Sequence, residues 1–231
     1  MLSGLGAAGV FSLLLWPFAR SLAEANGLTG AAIGLTLVQP ALLTALAVFA
    51  GAKLAPRVGL GAPLIEAQLQ GGEAGRVLRW QLPAAAAGGA FAGIVLIGYA
   101  RLSGGIIENA AAMAPPLATR LLYGGVAEEV MMRWGLMTAA VWGLSTLSRG
   151  TAPPASAYWG GIVIAALLFA IGHLPALFLM DSAPNPTLLA AVLIGNSAPG
   201  IVFGWLYWRR GIEAAMLAHG FAHLVGWAAG A

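Results

Sequence analysis

Cysteine is absent from this 231-residue chain, and charge is nearly as scarce: Asp, Glu, Lys and Arg together make up 8% of it. The first absence excludes disulfides and thiolate-ligated metal, and leaves the redox compartment open. The second excludes a soluble domain, which carries about 25% charged residues. The shortage runs along the whole chain, with 60% of residues hydrophobic and a mean hydropathy of +0.86. Such values describe an integral membrane protein. The net charge of +3 reads as loop cations on the cytoplasmic side, so no nucleic-acid partner is expected. Internal repeats and lipidation motifs are also missing. No basic residue precedes the first apolar run, which argues for a spanning helix there over a cleaved signal peptide.

What the chain does have is small and apolar. Its 33 glycines suit helices that approach closely in lipid. Apolar runs cover residues 2–19, 29–52, 82–100, 116–148, 158–180, 187–208 and 212–230, and about 20 residues cross the hydrocarbon core. The expected fold is all-α: a polytopic transmembrane helix bundle of seven spanning helices, forming one integral membrane domain over residues 1–231. The count becomes eight if the overlong fourth run breaks near Trp134-Gly135. The one long polar connection, residues 53–81, has the apolar spacing of a helix lying at the interface. With seven helices and a cytoplasmic N-terminus, the inner side receives Lys53, Arg57, Arg76, Arg79, Arg149, Arg209 and Arg210. Arg20, Arg101 and Arg120 fall outside, which favours that orientation.

Once the loop charges are set aside, six ionisable residues remain inside apolar runs: Glu128, Glu129, Arg133, His173, His219 and His223. Each costs about 2.5–3.5 kcal/mol at a helix centre, so such groups face a bundle interior or a cavity. In "HGFAH", His219 and His223 stand at i and i+4 and share a helix face. Glu129 and Arg133 have the same spacing and can pair along the helix. Glu128 is turned by about 100° from Glu129 and stays unpaired on its own helix. Pro175 removes an amide just beyond His173, which predicts a kink there. At about 1.5 Å per residue, His219 and His223 lie about 10–17 Å deep and His173 about 22 Å deep. Three chemistries use carboxylates and imidazoles in lipid: water activation with a stabilised oxyanion, a zinc-like site, and a proton relay.

Glu128-Glu129-x-x-x-Arg133, Phe169-x-x-x-His173 and His219-x-x-x-His223, in this order on successive apolar runs, resemble a known family. It is the CAAX-protease and bacteriocin-processing family of intramembrane proteases (the Abi, or type II CAAX prenyl endopeptidase, family). The stretch "FGWLYWRRGIEAAMLAHGFAH" is also similar to that family, and the likeness covers about residues 116–226, which would be the catalytic core. The resemblance implies that Glu128 and His173 activate water and that His219 and His223 stabilise the oxyanion. Glu129 and Arg133 would support them. Two positions depart from the family pattern: His223 stands where Asn is common, and Met132-Arg133-Trp134 where Phe-Arg-Gly is frequent. The family has been described as both glutamate-type and metallo-type. A glutamate mechanism without a metal cofactor is favoured; zinc, if used, would take Glu128, His173, His219 and His223.

The expected function is therefore an intramembrane endopeptidase acting on a membrane-anchored protein or peptide, in a bacterial inner membrane with the lipid bilayer as surroundings. The alternative is a non-proteolytic membrane protein, either a proton-coupled transporter or an immunity or binding partner.

Overall fold

Proline punctuates the chain. In the computed structural model, which describes residues 1–104, 113–147, 152–180 and 183–231, the first half forms α1 (Leu2–Ser12), α2 (Pro17–Ala25), α3 (Val38–Leu54), α4 (Pro63–Leu69) and α5 (Ala74–Gly104). Next come the segments Leu117–Thr119, Arg120–Glu128, Val130–Met137 and Thr138–Thr146. Glu129 between them is also helical (φ −65°, ψ −38°), so residues 117–146 form one rod, α6. The rest is α7 (Ala155–Gly172), α8 (Leu174–Met180), α9 (Pro186–Arg210) and α10 (Ile212–Ala228). Helices α2, α4 and α9 start on Pro17, Pro63 and Pro186, where the missing amide has no helical partner to lose. The Asn185 side chain caps α9 by accepting from the Leu188 amide at 2.9 Å. Among the described residues there is no strand.

The chain is an all-helical integral membrane protein. Ala32–Val58, Ala74–Ser103, Ala155–Leu179 and Pro186–Arg210 are long and apolar enough to cross a bilayer, with mean hydropathies of 1.9, 1.7, 2.5 and 1.6. Leu2–Leu15 and Pro17–Ala25, bent by 69°, add a fifth crossing if they act as one. Length and hydropathy thus support four or five spans, against the seven or eight expected. The two others, α6 and α10, do not meet that test: α6 carries charges at mid-length, and α10 has 17 residues. No break occurs at Trp134-Gly135. Ser148 and Arg149 lie outside the described residues. Large apolar side chains line the outside: Leu46 is 64% exposed, Phe49 65% and Ile94 68%. Lipid can solvate such a surface; water would not.

The polar connection 53–81 holds the short α4 and then the first turns of α5, which begins eight residues before the apolar run. Those turns are exposed and carry Arg76 in an ion pair with Glu73. Their helicity does not depend on lipid, so hydropathy missed it.

Helix α6 runs through the middle and touches α1, α3, α7, α9 and α10. Bare glycines set its closest approaches. A Cβ on Gly135 would sit 2.5 Å from Ala47 of α3, and one on Gly125 would sit 3.3 Å from Gly220 of α10. On the far side of α10, Gly89-x-x-x-Gly93 of α5 lies against Ala218 and Val225, with hypothetical Cβ distances of 2.6 and 2.7 Å. Small residues four apart let two backbones meet in lipid, and here they fix the seat of α10.

Candidate active site

The glutamate pair sits where α6 is widest. From Arg120 to Glu128 and from Val130 to Met137 the rod is a π-helix, with i→i+5 backbone bonds, not i→i+4. Such geometry is rare and mostly limited to single-turn bulges, often at functional sites. The Thr138 hydroxyl donates to the Arg133 carbonyl, five residues back, at 3.1 Å. A wider turn advances each residue by less than 100°. Glu129 itself keeps α-helical dihedrals between the two π-bonded stretches.

Both carboxylates approach one imidazole. His219 on α10 donates from Nδ1 to Glu129 Oε1 at 2.7 Å, and its Nε2 lies 4.0 Å from Glu128 Oε2. The same Glu129 oxygen is 3.0 Å from the Arg133 guanidinium. Arg133 in turn donates to the Gly200 carbonyl of α9 at 3.1 Å. The spacing-based Glu129–Arg133 pair is present, then, with a third member that the spacing did not reveal. Glu129 and Arg133 are wholly buried, while the Glu128 side chain keeps 16% of its surface exposed. Glu128 is the carboxylate that a substrate or water can reach.

His219 is boxed in by rings. Phe203 stacks on it at 4.8 Å between centroids, and His223 does so at 4.9 Å. Phe169 meets it edge-on at 6.5 Å, and the Arg133 guanidinium lies 5.4 Å from Phe169 and 5.5 Å from Phe203. The His223 ring turns Nε2 toward α6, where a Cβ on Gly124 would meet it at 2.6 Å and His219 Nε2 at 3.6 Å. Gly124 thus keeps open the space before both Nε2 atoms. His223 Nδ1 is buried with no hydrogen-bond partner among the described residues.

His173 stands apart. It closes α7 at the interruption that Pro175 predicted, and its amide bonds to the Ala170 carbonyl at 3.2 Å. The Phe169 carbonyl is met by the His173 ring, Nδ1 donating at 2.8 Å. Nε2 of a neutral ring is then left as an acceptor. The ring packs edge-on against Phe169 at 4.5 Å, and no carboxylate lies within 4.0 Å of it among the described residues. One turn nearer the start of α7, Phe169 is the residue that stands beside His219. Phe169 thus meets both histidine rings, at 4.5 Å from His173 and 6.5 Å from His219.

Four contributors escaped the sequence reading: Gly124, Gly200, Phe203 and the Thr138–Tyr207 pair, whose hydroxyls lie 2.9 Å apart. Gly200, Phe203 and Tyr207 follow one another at three- and four-residue spacing, a single face of α9. That periodicity was the available signal. For zinc the donors are poorly spread. Two ligands at about 2.0–2.1 Å in a tetrahedral shell sit about 3.4 Å apart, closer than the 4.0 Å between Glu128 and His219. Nor do three or more His, Asp or Glu side chains form a metal-holding group among the described residues.

Residues 110–225, half of the chain, match the family model described as "Rce1-like: Type II CAAX prenyl endopeptidase Rce1-like". No curated protein and no solved structure gives a match.

Proposed function

The chain belongs to the Rce1-like type II CAAX prenyl endopeptidase family, and from that premise we propose that it hydrolyses a peptide bond in a membrane-anchored protein or peptide, using Glu128 as the base. The observation that carries this reading is the single imidazole of His219, 2.7 Å from one and 4.0 Å from the other of two consecutive carboxylates. Glu129 is committed to Arg133 and His219. Glu128 has no arginine partner and is partly open.

The steps follow from those positions. Glu128 removes a proton from water, with His173 assisting through its free Nε2, and the water oxygen bonds to the scissile carbonyl carbon. The carbonyl oxygen becomes an oxyanion that accepts from His223 Nε2–H, and from His219 Nε2–H when that ring carries both protons, its Nδ1–H staying on Glu129. The C–N bond then breaks, and the proton held by Glu128 passes to the departing amine. In this reading the chain crosses the membrane seven times with its N-terminus cytoplasmic, α6 and α10 completing the set. The membrane is a bacterial inner membrane.

The test is cleavage by purified protein in proteoliposomes, followed by mass spectrometry. The substrates are a peptide with a prenylated cysteine near its C-terminus and the same peptide anchored by an apolar helix. A new C-terminal fragment from either supports the reading. Proton flux without any fragment would replace the peptidase with a transporter.

Hydrolysis is expected to survive chelation, because a carboxylate spent as a ligand is lost as a base. Stoichiometric zinc whose removal abolishes cleavage, with activity regained on re-addition, would reverse this. Gly124→Ala is expected to fold and to cleave about 100-fold more slowly, the scale of an ångström-level misplacement. Its methyl group would intrude 2.6 Å from His223 Nε2. A wild-type rate for this variant would remove His223 from the reacting centre.

A further inference from the structure

One end of the bundle gathers cations that the peptidase site does not use. Lys53 and Arg57 close α3 and the turn after it, Arg76 and Arg79 open α5, and Arg209 and Arg210 end α9. Of these six, Arg76 alone pairs with a carboxylate among the described residues. Between the three elements lies a cavity of about 540 Å³, walled by the 56–63 loop, Glu66, Trp80 and the 207–211 turn.

This cavity is built, not incidental. The Ile212 amide donates to the Gly61 carbonyl at 3.2 Å, and Gln81 donates to the Arg210 carbonyl at 2.8 Å. The Ile65 amide donates to Glu213 at 2.9 Å. Gly211, at φ +94°, turns the chain against Pro63 where no Cβ fits. These ties hold both arginines over aromatic faces. The Arg210 guanidinium lies 4.5 Å from the Trp80 ring centre and that of Arg209 5.3 Å from Trp208. Trp208 is itself stacked on Tyr158 at 4.7 Å, and the Tyr158 hydroxyl donates to the Val58 carbonyl at 2.6 Å. Glu66 is the one carboxylate in the lining, and it is engaged by the Ala62 amide at 3.0 Å. The two guanidinium forks thus face the cavity with a cationic surplus.

We propose that this cavity binds the phosphate of an anionic phospholipid headgroup. Guanidinium forks match phosphate oxygens two at a time. Tryptophans settle at headgroup level, and basic pockets between spanning helices take anionic headgroups. Exposed Leu69 and Leu82, on the helices that carry Glu66 and Trp80, offer acyl chains an apolar path. A free phosphate ester would lack that path.

Protein in neutral detergent is titrated with phosphatidylglycerol, phosphatidylcholine or glycerol 3-phosphate, and native mass spectrometry and thermal unfolding are recorded. Wild-type protein is expected to retain phosphatidylglycerol over phosphatidylcholine and to unfold at a higher temperature with it. Arg209→Gln and Arg210→Gln should each weaken that retention about fivefold, and together about thirtyfold. Equal stabilisation by glycerol 3-phosphate would make the ligand a free phosphate and overturn the lipid assignment. Equal retention of both lipids, or undiminished retention by either single variant, would overturn the site.

Discussion

Glu128→Gln is expected to leave the protein folded in the membrane and to lower cleavage by at least about 100-fold, the lower bound for removing a general base. Glutamine preserves size and shape and removes only the ability to hold a proton. The side chain is partly exposed, makes no hydrogen bond among the described residues, and approaches His219 Nε2 no closer than 4.0 Å. Little stability rests on it. Paired measurement of thermal unfolding and cleavage rate checks both halves of the statement. A variant that cleaves at the wild-type rate would end the assignment of Glu128 as the base.

Glu129→Gln should fail in the opposite way, by losing stability. Glu129 and Arg133 are buried, and one Glu129 oxygen serves both Arg133 at 3.0 Å and His219 at 2.7 Å. Without that charge the groups around Arg133 among the described residues are neutral: the Gly200 carbonyl, the faces of Phe169 and Phe203 and the new amide. Stranding one partner of a buried pair costs about 3–5 kcal/mol. Removing Arg133 as well, as in Glu129→Gln with Arg133→Met, is expected to restore much of the stability, because no unpaired charge remains. Cleavage should stay depressed in the double variant, since His219 would face a neutral amide in place of the carboxylate that orients it. If Glu129→Gln proves stable but inactive while Glu128→Gln cleaves normally, the two carboxylates have exchanged roles.

Some of this site could be read directly from spacing. Glu129 and Arg133 pair because four residues separate them, and His219 and His223 stack for the same reason. Pro175 forecast the interruption at His173. The shared approach of Glu128 and Glu129 to His219 was not readable, because it depends on where α10 lies against α6 and on how this stretch of α6 is hydrogen-bonded. Pitch depends on what packs around a helix, and five other helices surround this one. The Phe203–His219 stack likewise joins α9 to α10 through tertiary contact, which no local pattern encodes. Hydropathy located the membrane-facing runs but not the start of α5, whose first turns are polar. The seven apolar runs overlap α1, α3, α5, α6, α7, α8, α9 and α10, while α4 lies outside them and α2 mostly so. Four or five of those helices reach the length and hydropathy of a crossing.

The seating of α10 against α5 bears on what counts as a module here. His219 and His223 belong to the stretch that defines the family, yet Gly89 and Gly93, which grip the back of their helix, lie before it begins. Grafting residues 110–225 alone onto another membrane scaffold would carry every ionisable group of the site and leave behind the clamp that sets their register. Ala218 and Val225 would then face acyl chains, and α10 would be free to slide or roll. The structural unit that holds this site is therefore larger than its motifs, and it includes a helix that lends the site no ionisable group.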